Sequence, residues 1–251
     1  MKTTLEKMVC CTVTAMTFAA VASAEPSGRK HAGKSVPLEE ATMIIEYNST
    51  DEDVGVQFFL DSEGWREIDI FDPSGHEIFS AESGGRLTQQ GGGTELFLES
   101  VEPAIDDLPL AKFFRRFPEG TYRFRGIDKT GNRLSGEAEF THALPKGPKI
   151  VMPMPARGEE CADGVPARGA VVAWNPVTES VGGEPIEVTR YEVIIETDDV
   201  DFDVKFPATN GTMLSVPTEL LQPGTSYTGE VLAVEEGGNQ TITTFCFTTA
   251  T

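Results

Sequence analysis

Apolar and polar residues alternate in short runs through most of this chain, with turn signals every ten or so residues. Met43-Ile-Ile-Glu-Tyr47, Val54-Gly-Val-Gln-Phe-Phe-Leu60 and Trp65-Arg-Glu-Ile-Asp-Ile-Phe71 are rich in β-branched and aromatic residues. Polar turns at Asn48–Asp53 and Asp61–Gly64 separate them, which predicts three half-buried strands. Asp72-Pro-Ser-Gly75 predicts a hairpin, because proline presets φ and glycine accepts a positive φ. Asp128-Lys-Thr-Gly-Asn132 repeats the device between Thr121–Ile127 and Arg133–Thr141.

One segment departs from this rhythm. Between Asp106 and Phe117 the apolar residues Leu110, Phe113, Phe114 and Phe117 fall at helical spacing, with Pro109 at the start and Arg115 and Arg116 at the end. The pattern predicts a short amphipathic helix capping one end of a sandwich with its apolar face inward. Four prolines then fall within Ala143–Pro155, which predicts a stiff boundary with a linker over residues 145–149.

Beyond the boundary, alternation puts Ala170, Val172 and Trp174 on one face of a strand, and Tyr191, Val193 and Ile195 on one face of the next. Leu221-Gln-Pro-Gly-Thr-Ser-Tyr227 is a tight turn delivering a tyrosine into the start of a strand, the arrangement of a tyrosine corner. Together, Trp174-Asn-Pro176, the Tyr191 strand and the Leu221, Pro223 and Tyr227 turn resemble the fibronectin type III family over about residues 147–251.

The resemblance implies the strand order Ile150–Met152 (A), Ala170–Trp174 (B), Arg190–Glu196 (C), Val204–Phe206 (C′), Met213–Val216 (E), Tyr227–Val234 (F) and Thr241–Thr248 (G). The region before the boundary is similar to an immunoglobulin-like sandwich of the bacterial extracellular type. That likeness rests on the Trp65–Phe79 hairpin and on Phe117-Pro-Glu-Gly-Thr-Tyr122, which sets a tyrosine just after a turn. The expected fold class is therefore mainly β, with two tandem β-sandwiches at residues 41–144 and 150–251, the first carrying one short helix.

Charge and the N-terminus place the chain. The formal net charge of −20 over 251 residues repels nucleic acid and anionic membrane surfaces. Lys2 and Lys7, the apolar Met8–Val21 run and Ala22-Ser23-Ala24 form a secretory signal over residues 1–24, so an exported protein, periplasmic or secreted, is expected. A polar leader at residues 25–40, with Arg29, Lys30 and Lys34, is expected to be flexible. No later run reaches the ~18 apolar residues of a membrane span, so no membrane insertion is expected after signal cleavage.

Signal removal leaves Cys161 and Cys246, either a disulfide or two free thiols. Here the family resemblance adds an implication. In that topology the A–B connection, which holds Cys161, meets the end of strand G, which holds Cys246.

Candidate chemistry is sparse. The chain contains no Gly-x-Ser-x-Gly, His-Glu-x-x-His, phosphate-loop or dinucleotide motif. His31, His76 and His142 have no metal-spaced neighbours, and Gly91-Gly-Gly93 reads as a flexible loop. Asp51-Glu-Asp53 lies in a turn, while Asp199, Asp201 and Asp203 alternate along an extended segment. The latter could offer oxygen ligands to calcium or simply form a solvated strand edge. Sequons occur at Asn48, Asn210 and Asn239.

Two functional readings follow. The first is a non-catalytic exported module that binds a protein or a glycan, with no catalytic residues and no cofactor. The second is an extracytoplasmic hydrolase, or its accessory carbohydrate-binding subunit, which would need paired carboxylates in an aromatic cleft. Trp65, the only tryptophan in the first half, reads as a packing residue.

Overall fold

The computed structural model describes residues 33–251. The signal peptide expected over residues 1–24, and the expected leader up to residue 32, lie outside the described residues. Residues 33–251 form one compact unit containing two large hydrophobic cores. The chain is mainly β, as the alternation predicts.

The first half contains β1 (Ser35–Pro37), β2 (Glu40–Asn48), β3 (Asp53–Phe71), β4 (Glu77–Glu82), α1 (Gly85–Gln90), β5 (Gly93–Glu99), α2 (Leu110–Arg116), β6 (Gly120–Asp128) and β7 (Arg133–Phe140). Three findings differ from the sequence expectation. The leader does not stay free to residue 40, because β1 pairs in parallel with β7, Val36 lying opposite Leu134. A second short helix, α1, precedes the glycine run, and Gly91 closes it with a positive φ.

The third difference concerns the expected turn at Asp61–Gly64, which is instead part of the single 19-residue strand β3. Register shifts fall between Asp61 and Trp65 in the pairing with β5, and between Trp65 and Glu67 in the pairing with β6. The strand thus bends without leaving the sheet. Its first half pairs with β2 and β5, and its second half with β4 and β6. Gly93 makes this possible, since a side chain there would collide with the Trp65 ring at 2.9 Å. Around this bend Ile45, Val54, Ile68, Ile70, Tyr122 and Phe124 are fully buried. Helix α2 closes the core with Phe113, and Leu110, Phe114 and Phe117 pack beside it.

The second half contains β8 (Ile150–Met152), β9 (Ala162–Val165), β10 (Val171–Trp174), β11 (Val188–Glu196), β12 (Asp201–Pro207), β13 (Met213–Ser215), β14 (Ser226–Glu235) and β15 (Gln240–Thr249). One sheet runs β13-β10-β8, and the strands facing it run β15-β14-β11-β12. This is the fibronectin type III and immunoglobulin-like sandwich layout. Trp174 meets Tyr191 edge-on at 5.1 Å between ring centroids, and Tyr227 stacks on Phe247. The Tyr227 hydroxyl accepts the Gln222 N–H at 2.7 Å and donates to the Leu220 carbonyl, which closes a tyrosine corner. A second one is present in the first half, where the Tyr122 hydroxyl donates to the Pro118 carbonyl at 3.1 Å.

Candidate functional site

The two cores share a sheet. β15 pairs in parallel with β2, placing Gln240, Thr241 and Ile242 opposite Glu46, Tyr47 and Asn48. Polar contacts fix this seam. The Asn239 side chain is almost fully buried. Its Oδ1 accepts the Ile45 N–H at 2.8 Å, and its Nδ2 donates to the carbonyls of Thr141 and Ala143 at 3.1 Å each. Thr241 Oγ1 donates to the Pro145 carbonyl, and Ser49 Oγ to that of Ile242. Gly147 packs where a side chain would strike Ser49 and Thr243, so the proline-rich segment lies against the seam. The Asn239 sequon is consumed by this packing, whereas Asn210 is exposed.

Because the sheet crosses the seam, its outer surface is continuous over both halves. On that face one row runs Glu192, Leu232, Ile242, Asn48, and the next runs Arg190, Val234, Gln240, Glu46, Gly55. Further along, Ile44, Gln57 and Glu99 lie abreast, then Thr42, Phe59 and Phe97. The opposite side chains of the same strands, such as Val231, Ala233, Ile45 and Tyr47, enter the two cores. Leu232, Val234 and Ile242, with half-buried Ile194 beside them, therefore form a small apolar cluster on the outer side of the sheet that is already buried within the chain. Phe97 extends the apolar surface and is 60% exposed.

Carboxylates crowd this cluster. Glu46, Glu99 and Glu102 bring oxygens within 4.8 Å of one another. Glu102 lies over Gly55, whose missing side chain makes the room. Burial, then the charges of Glu46, Glu99 and Asp53, push Glu102 up to about 7. Burial also raises Glu46, against the hydrogen bond it accepts from Gln240 Nε2, and raises Glu230 with help from Glu196 and Glu192. Glu192 is pushed up by burial and offset by Lys205, whose Nζ lies 3.0 Å away. Carboxylates outnumber the cations Arg190 and Lys205 on this face, so its net negative field attracts cationic groups.

The residues singled out from sequence fall elsewhere. Asp201 and Asp203 occupy alternate positions on β12, and Asp199 sits in the turn before it. Asp203 is engaged by Lys205 at 3.6 Å, and the converging carboxylates among the described residues are the glutamates above. Cys161 and Cys246 are joined in a disulfide, with Cα atoms 4.8 Å apart, beside the parallel pairing of β9 with β15. The Trp65 indole is buried against Gly93. His142 stacks on Phe114 at 4.2 Å, and its Nε2 lies 2.7 Å from the Phe117 carbonyl. The apolar cleft beside it, bounded by Leu110, Phe114, Val181 and Glu184, presents one carboxylate where glycoside hydrolysis uses two.

Sequence reasoning missed the acidic face because its glutamates come from β2, β5, β11 and β14 and from the Glu102 segment that follows β5. A signal was present in Val231-Leu-Ala-Val234, an unbroken apolar run of the kind that marks a strand covered on both sides.

No protein-family model matches this chain, and no curated protein matches it. Among solved structures it is similar to chicken CNTN1 FN1-FN3 domains, at 10% identity and TM-score 0.33 over 88% of this chain and 66% of that one. It is also similar to a tetra-tandem repeat in the extending region of a large adhesion protein, at 14% identity and TM-score 0.29, over 84% and 49% of the two chains. A third similar structure is from a 1.5-MDa bacterial ice-binding adhesin, at 12% identity and TM-score 0.27, over 87% and 65%. The chain spans from about half to two thirds of the length of these structures. The sandwich fold described above rests on the strand pairings. No helix among the described residues is long and apolar enough to cross a membrane.

Proposed function

We propose that this chain is an exported, non-catalytic binding module whose two sandwiches present one shared sheet face to a protein partner carrying lysine or arginine side chains. The observation that carries this reading is the continuity of the outer face across the β2–β15 seam, with exposed Phe97, half-buried Ile194 and carboxylates from both halves, Glu46, Glu99 and Glu102 in the first and Glu192 and Glu230 in the second. Interfaces combine a desolvated apolar centre with a polar rim, and charge complementarity steers their encounter.

A protein suits the face better than a glycan. Sugar recognition favours exposed aromatic platforms with a polar handle, and here both tryptophans and all four tyrosines are buried, which leaves Phe97, with no polar group, as the exposed ring of this face. Export agrees with the signal-like N-terminus and with the Cys161–Cys246 disulfide, a bond that persists in oxidising compartments.

The test is site-specific photo-crosslinking in the native envelope. A crosslinking residue at Phe97 in the first half and another at Ile194 in the second are expected to capture the same protein. A control at Ile78 on β4 is expected to capture none. Different proteins from the two face positions, or capture from Ile78 alone, would overturn the reading.

A further inference from the structure

The methionines are distributed unevenly. The chain has seven, of which Met1, Met8 and Met16 lie outside the described residues. Of the other four, Met43 is buried in the first core. The remaining three, Met152, Met154 and Met213, are 49%, 68% and 64% exposed. A single exposed apolar side chain needs no explanation, but Met152 and Met213 come from two separate segments and flank the same residue on one sheet, with Met154 just beyond the end of β8.

The strand register shows how they meet. β10 is the central strand of the three-stranded sheet, and Ala173 on it lies opposite Met213 on one side and Met152 on the other. Val172 and Trp174 point into the core, so Ala173 faces outward. A register shift between Ala173 and Trp174 sets Ile150 beside Trp174 while Met152 stays beside Ala173 on the outer face. Leu214 packs on the core, which leaves its neighbour Met213 outside. Ala173 is nonetheless 9% exposed, the small floor between two methionines.

Each methionine stands about 5 Å from Ala173 on its own side of β10, which sets the two methionine backbones about 10 Å apart, a span that two long flexible side chains can close by leaning over the Ala173 methyl group. Met154, two residues beyond Met152, supplies a third sulfur within the same segment.

The chemistry of the donors narrows the ligand. Thioether sulfur is neutral and soft, and does not titrate. It is a poor ligand for calcium or magnesium and selects Cu(I) among biological cations. A leucine patch would bury or bind equally well by area alone, so sulfur is the distinguishing property of this one. The surrounding net negative charge of the chain draws cations towards it. We propose that Met152 and Met213, with Met154 from the segment after β8 as a third donor, form a surface site for one Cu(I) ion, separate from the acidic face and on the opposite sheet of the second sandwich.

The test uses the mature protein with its disulfide intact and methionine methyl groups labelled with carbon-13. Ag(I), a redox-inert stand-in, is titrated first, and Cu(I) is then competed against a chromophoric chelator without oxygen. The ε-methyl signals of Met152, Met154 and Met213 are expected to shift together and saturate at one ion per chain, with Met43 unmoved. The Met152→Leu/Met213→Leu double variant keeps the patch apolar and is expected to bind at least tenfold more weakly. Unshifted methyl signals at stoichiometric Ag(I), or unchanged affinity in the double variant, would overturn the proposal. Unfolding midpoints of both proteins check that the substitutions leave the fold intact.

Discussion

The Asn239 side chain accepts the backbone N–H of Ile45 at 2.8 Å, linking residues 194 positions apart across the seam between the two sandwiches. The same amide donates to Thr141 and Ala143, so one buried side chain holds the first strand pair, the end of the first sandwich and the last strand of the second. Glu235 fixes the turn that presents it, its carboxylate accepting the N–H groups of Gly237 and Asn239.

Removing this side chain leaves a buried N–H and two partly buried carbonyls without their partner. Asn239→Ala is expected to lower stability by about 3 kcal/mol in denaturant unfolding, since each buried unsatisfied group costs roughly 1–3 kcal/mol. Asn239→Asp keeps the acceptor for Ile45 but turns an oxygen towards the two carbonyls, and is expected to destabilise as well. A change below about 0.5 kcal/mol in both variants would show that the amide does not hold the seam.

The two tyrosine corners differ in what they satisfy. Tyr227 serves a donor and an acceptor, Gln222 N–H and the Leu220 carbonyl, whereas Tyr122 serves the Pro118 carbonyl. Tyr227→Phe is therefore expected to cost about 2 kcal/mol and Tyr122→Phe about 1 kcal/mol in urea unfolding. The reverse order would contradict these roles.

Glu102 gives the acidic face a pH signature. Its ordinary value is 4.5 and the folded protein raises it to about 7, so between these values the folded state holds more protons than the unfolded one. Its ionisation opposes folding at pH above 7, and this penalty fades as pH falls towards 4.5. Glu102→Gln is expected to flatten the gain in stability that the native protein shows on acidification through this window, measured as unfolding midpoint against pH. Asp128 acts in a different range. Burial would raise it, but hydrogen bonds from Asn132 and Thr130 outweigh burial and hold it at about 2, so its contribution is lost only below pH about 4. Identical pH profiles for the native protein and Glu102→Gln would contradict the crowding described.

The disulfide closes a span of 85 residues and ties β9 to β15. Chain-entropy reasoning gives about 4 kcal/mol for such a loop. Cys161→Ser/Cys246→Ser is expected to lose stability of that order. Amide exchange should also quicken at Ala250, whose N–H bonds to the Val165 carbonyl. Unchanged exchange there would mean that β9 holds without the bond.

Much of this architecture was legible in the sequence, for a physical reason. Period-two alternation marks half-buried strands, and Trp174, Tyr191 and Tyr227 occupy core positions that their sequence patterns announce. The α2 face was readable in the same way from Leu110, Phe113, Phe114 and Phe117.

What escaped were features that depend on long-range pairing. Asp61–Gly64 looks like a turn by composition, yet pairing on both sides carries β3 through it. The β1–β7 pairing is invisible in a polar leader, because three residues show no period. The acidic face needs Glu46 and Glu230 on strands whose adjacency only the β2–β15 seam creates, and Asn239 reads in sequence as a sequon instead of a buried latch. The Asp199, Asp201 and Asp203 alternation was plain, but alternation says nothing of Lys205 beside it.

The account rests on the two sandwiches acting as one body with a shared face. Residual dipolar couplings test this directly, by comparing backbone amides of residues 40–140 with those of residues 150–249 in one weakly aligned sample. One alignment tensor is expected to fit both sets in the native protein, with separate tensors emerging in Asn239→Ala. Two distinct tensors in the native protein would contradict a continuous sheet across the seam.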